Sequence, residues 1–85
     1  MRKCYICQTT KNIEQHHVFF GISNRKISDR HKFTVDLCAE HHRGHYSPHH
    51  SKQLDLALRR ITQKEYEKTH TRKEFMDIIG QNYLD

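Results

Sequence analysis

Apolar residues along this chain follow two rhythms. In the last third they recur at helical spacing: Leu54, Ala57, Leu58 and Ile61 fall at i, i+3, i+4 and i+7, one face of an amphipathic helix. Further on, TRKE (71–74) has the form of a capping box, with Thr71 as N-cap and Glu74 reaching back. Phe75, Ile78 and Ile79 follow, and Gly80 marks the helix end. Nearer the front the period is two. Phe33, Val35 and Leu37 alternate with Thr34 and Asp36, which predicts a half-buried strand over 33–38. Residues 13–20, IEQHHVFF, have strand composition at their apolar end, with Gly21 as the stop. Residues 22–32 are polar and basic and read as a loop or a short helical excursion. A short helix is expected from Ala39 to about Gly44, and Pro48 prevents its uninterrupted continuation.

This pattern leaves little to bury. Only 34% of the 85 residues are hydrophobic, mean hydropathy is −1.00, and a domain this small buries only about 60% of its unfolded surface. A chain so polar is either disordered or held by something besides its core. Eight aromatics and the ordered C-terminal pattern argue against disorder. A bound metal answers the shortage, because its binding free energy adds directly to folding. One domain is expected over 1–85: a metal-braced front, 1–50, and a helical buttress, 51–85. Neither an apolar leader nor a membrane-length run is present, so a cytoplasmic chain is expected.

The candidate ligands are crowded. LCAEHHRGHYSPHH (37–50) holds five of the nine histidines. Three cysteines, an odd number, suit a metal site better than a disulfide framework. Cys4-x-x-Cys7 and Cys38-x-x-His41 are two knuckles with the spacing of a structural zinc site. His16 and His17, adjacent on a strand, would point to different faces and divide labour between holding a metal and acting on a water. On a helix from Ala39, His41 and His42 differ by about 100° in direction. His41 can then face the zinc while His42, with His45 or His49, completes a second metal site.

Taken in order, CYIC, HHVFFG and LCAEHHRG resemble the HNH nucleases, the His-Me-finger or ββα-metal endonucleases, and most closely the small members of bacteriophages and prophages. The ending EFMDIIGQNYL (74–84) extends the likeness over nearly the whole chain. The resemblance implies an α+β fold, a zinc-braced ββα-metal core with C-terminal helices packed against it. It implies His16, His42 and His49 as ligands of a catalytic divalent ion, His45 as competitor for the last place, and His17 as general base. The pattern departs at one point. The Asn that precedes the second strand in the family and orients the base is missing from DRHKFT (29–34), and Asn24 lies too far upstream. His31, Asp36 or a backbone carbonyl are the candidates to replace it.

The chemistry implied is hydrolysis of DNA phosphodiester bonds. A neutral imidazole at His17 suits proton abstraction near neutral pH, and the second ion would be Mg²⁺, Mn²⁺, Ni²⁺ or Zn²⁺. The net charge of +5 fits a polyanionic partner, and Arg25, Lys26, Arg30, Lys32 and Arg43 are the candidate phosphate contacts. Two other readings fit the same residues. One is a catalytically weak, zinc-stabilised DNA-binding or recombination accessory module of a phage. The other is a structural phage protein that uses the fold for protein contacts, with packaging or recombination proteins as partners.

Overall fold

Alternation of side chains builds the first two strands, and the histidine pair sits where the first one ends. The computed structural model describes residues 2–20 and 22–84. Strand β1 (Ile13–His17) and strand β2 (Thr34–Cys38) pair antiparallel, with Ile13 opposite Cys38 and His17 opposite Thr34. Helix α1 (Ile22–His31) links them, and helix α2 (Ala39–Arg43) follows β2 directly. Helices α3 (Lys52–Tyr66) and α4 (Arg72–Ile79) complete the chain, an α+β arrangement around a two-stranded sheet. Among the described residues no helix is long and apolar enough to cross a membrane.

One expectation for the front half needs correcting, and one resolves between its alternatives. The strand occupies Ile13–His17, upstream of the apolar VFF, because Val18 and Phe19 leave the ladder and turn fully into the core; Gly21, expected to stop it, lies outside the described residues. Of the two readings of 22–32, the helical one holds, as a ten-residue helix. Its own sequence has no strong apolar face, so tertiary bonds must hold it. Buried Ser28 supplies them: its hydroxyl donates to the Phe19 carbonyl at 2.7 Å and accepts from the Phe19 N–H at 3.2 Å. The Phe33 N–H donates to the Ser28 carbonyl and the Val18 N–H to the Phe33 carbonyl. Lys32, at φ 59°, makes the reversal from α1 into β2.

The core is aromatic. Phe19, Phe33 and Phe75 are buried with ring centroids 5.6 to 5.9 Å apart, and Tyr66 meets Phe33 at 5.5 Å. Burial of each Phe is worth about 1.5–3 kcal/mol, and edge contacts of this kind add roughly 0.5–1.5 kcal/mol per pair. This cluster ties the strands to α3 and α4. Leu58 and Leu54 pack as the periodicity predicts, but Ile61 is 42% exposed, on the rim of a separate cleft. The capping box at Thr71 and Glu74 forms, and Gly80 closes α4 at φ 86°. Buried Gln63 then pins the C-terminal tail: its amide donates to Asn82 Oδ1 at 2.8 Å and its carbonyl accepts from the Tyr83 N–H.

Candidate metal centres and cleft

Four side chains from three segments meet at the front of the sheet. Cys4 and Cys7 come from the N-terminal turn, Cys38 from the end of β2, and His41 from α2. Their ligand atoms lie within 4.8 Å of one another. Cys7 Sγ is 3.8 Å from Cys38 Sγ, and His41 Nδ1 is 3.7 Å from Cys4 Sγ and 3.3 Å from Cys38 Sγ. A tetrahedron with the bond lengths of zinc would have edges of roughly 3.5–3.8 Å, so the group could hold a metal ion such as zinc. Burial opposes ionisation of Cys4 most strongly. The backbone N–H groups of Cys7, Cys38 and Ile6 outweigh it together and bring the thiol down to about 6, which favours the thiolate a metal requires.

The second cluster is made of imidazoles. His16 comes from β1, His42 from α2 and His49 from the segment before α3, and one nitrogen of each lies within 4.8 Å of the others. Ring centroids are 5.3 Å apart for His16–His42 and His16–His49, and 5.6 Å for His42–His49. His16 is 1% exposed, and its Nε2 has no hydrogen-bond partner. Leaving a buried polar nitrogen unpaired costs on the order of 1–3 kcal/mol, and a cation at that atom removes the cost. Burial, then the neighbouring charges of His42, His49, His17 and Arg59, lower His16 to about 4. Burial and His42 also lower His49. Both rings therefore stay neutral near pH 7, with lone pairs available to a metal.

His42 is held by a carboxylate. Its Nδ1 lies 2.7 Å from Glu14 Oε1, so Nε2 is the nitrogen left for the cluster. Glu14 also accepts from Arg43 at 2.6 Å; the His42 bond is the main reason its carboxyl sits below the usual range, with Arg43 adding to it.

These side chains border a cleft of about 580 Å³ lined by Gln15, His16, His17, Phe20, Arg25, His42, Arg43 and His49. His17 and His16 do part at the strand end: His16 turns into the cluster while His17 Nε2 lies 2.8 Å from Asp29 Oδ1. His45 stays out of the cluster and packs edge-on against exposed Tyr46. Of the five predicted phosphate contacts, Arg25 and Arg43 line the cleft, whereas Lys26 and Arg30 are exposed on α1 away from it. Lys32 lines the other cleft, with Tyr66 and His70. The residues proposed to replace the missing Asn are engaged elsewhere. Asp36 is bonded by Arg2 at 2.7 Å, and the His31 ring stacks on Phe33.

Two acidic side chains at this site went unsingled in the sequence, Glu14 and Asp29. The signal for Glu14 was available, since it stands two residues before His16 on one strand and so shares its face. Asp29 carries no such mark. No family model, curated protein or solved structure matches the chain.

Proposed function

We propose that this chain is a metal-dependent endonuclease of the HNH, or ββα-metal, kind that hydrolyses DNA phosphodiester bonds. The observation that carries it is the convergence of His16, His42 and His49 on one point beside a fourth histidine outside the cluster, His17, in a cleft that Arg25 also lines. The antiparallel pairing of β1 with β2 and the helix α2 directly after β2 support it, although α1 lies between the two strands.

His16, His42 and His49 would hold a divalent ion, and the orphaned His16 nitrogen and the all-imidazole donor set fit one. When bound, such an ion supplies Lewis-acid stabilisation of charge on the phosphate oxygens. The protein's own part is positional. Arg25 meets a non-bridging phosphate oxygen and sets the backbone across the cleft. His17 takes a proton from water as the water oxygen bonds to phosphorus. The bond from phosphorus to the leaving sugar oxygen breaks, and that oxygen is protonated from solvent. Phe20 gives the cleft an apolar wall that limits bulk water. The Cys4, Cys7, Cys38 and His41 group would hold a zinc ion in a purely structural role.

The test is nicking of supercoiled plasmid with Mg²⁺, Mn²⁺ or Ni²⁺. Wild type should cleave with at least one ion, and His17→Ala should lose about 100-fold or more while binding DNA as before. Binding without cleavage at all three ions would overturn the enzyme reading in favour of an accessory DNA-binding module. Failure to bind DNA at low salt would point to a structural protein.

A further inference from the structure

We propose that Asp29 is the positioning residue for His17, in the role left open by the absent Asn; this rests on the nuclease reading above. His17 Nε2 and Asp29 Oδ1 are 2.8 Å apart. An N–H at Nε2 donating to that carboxylate holds the ring in one orientation and leaves Nδ1 with its lone pair, the form a base needs. Once Nδ1 has taken a proton, the same carboxylate stabilises the imidazolium.

The objection is that Asp29 is largely exposed, its side chain 63% accessible, and exposed ion pairs are weak. Its backbone, however, is not free. Ser28, the residue before it, is buried and bonded in both directions to Phe19, two residues beyond His17. The Ser28 carbonyl accepts from Phe33, and the Asp29 carbonyl accepts from Lys32. Helix α1 is thus fixed in register against the end of β1, and Asp29 can reach His17 through only two side-chain torsions. His17 itself is 14% exposed, so its ring has little room to turn away. Arg25 stands one helical turn before Asp29, on the same face of α1, and lines the cleft. One helix face therefore offers a cation for phosphate and an anion for the base.

An acidic side chain bonded to a residue that lines a DNA-binding cleft repels the ligand, which separates this role from a structural or binding one. Asp29→Ala should lower kcat of plasmid nicking by between about 10- and 100-fold, with KM for DNA unchanged or lower. Asp29→Asn, which keeps an acceptor oxygen, should recover a large part of the rate. Proton spectra give a readout independent of cleavage: wild type should show a slowly exchanging, downfield ring N–H attached to His17 Nε2, assigned by its loss in His17→Gln, and Asp29→Ala should abolish it. Equal kcat for wild type and Asp29→Ala overturns the proposal and leaves the nuclease reading intact. So does a ring N–H that persists in Asp29→Ala, or a loss that falls on KM. A wild type that cleaves with no ion overturns both.

Discussion

Side chains that touch no substrate decide how well this site is built. Glu14 is the clearest case, because one carboxylate bonds His42 through Oε1 and Arg43 through Oε2. The first bond fixes which nitrogen of His42 faces the cluster, and the second keeps Arg43 at the rim of the cleft. Carboxylates behind metal-binding histidines are typically worth 10–100-fold, roughly, in affinity or activity. Glu14→Ala should accordingly weaken Mn²⁺ or Ni²⁺ binding at the histidine cluster by about that factor, measured by calorimetry on protein already saturated with zinc. Unchanged affinity would reduce Glu14 to a surface ion pair. At this scale the sequence is unevenly legible. Cysteine and histidine are scarce residues with few reasons to cluster, so Cys4, Cys7, Cys38 and His41 announce themselves by spacing. Glu14 is marked only by sharing a strand face with His16, and Asp29 is indistinguishable from a solvated acid until folding brings His17, 12 residues away, within hydrogen-bond reach.

Local signals and tertiary bonds share the work differently from one element to the next. Helix α4 carries its own instructions, a capping box before it and a left-handed glycine after it. Helix α1 carries almost none, and its helicity depends on Ser28 reaching Phe19 across the strand end; that is why its sequence reads as either a loop or a helix. The contrast predicts where pH acts. Glu74 is held below the ordinary carboxylate range first by the Thr71 backbone N–H and then by the Thr71 hydroxyl. A depressed carboxyl pKa means stability that is complete above the unfolded value and lost as pH falls through the folded one. The first turn of α4 should therefore fray under acid, seen as an upfield move of the Thr71 amide proton below the usual Glu range. Glu74→Gln should flatten that response, because its amide accepts the same bond without titrating. A Thr71 amide that titrates equally in both proteins would rule the box out as its cause.

Across the whole molecule the two clusters are not independent, because the five-residue helix α2 supplies one histidine to each. His41 and His42 are consecutive, so the helical turn of about 100° between them sends one ring to the thiolates and the other to His16 and His49. Gly44 ends that helix where any Cβ would run into the Glu40 carbonyl oxygen, so its path is tightly defined. Residues 2–12, by contrast, are thinly attached. Gln8 and Asn12 have left-handed backbones, and the Tyr5 and Ala39 N–H groups provide the backbone bonds joining this turn to β2 and α2. The aromatic core, Phe19, Phe33, Tyr66 and Phe75, is held by its own ring contacts, although buried Cys4 and Cys38 adjoin the same cluster. Stripping the metal with a chelator, or Cys7→Ser, should thus release the N-terminal turn and α2 first. The melting temperature should fall by more than about 10 °C, since a structural zinc is worth several kcal/mol and each shifts a domain of this size by roughly 4–8 °C. Amide exchange should rise at 2–12 and 39–43 before it rises in α3. Mn²⁺ affinity at the histidine cluster should drop with it, because His42 loses its mount. A chelator that leaves melting and Mn²⁺ binding untouched would mean that the thiolates brace nothing and that α2 is held by Glu14 and Gly44 alone.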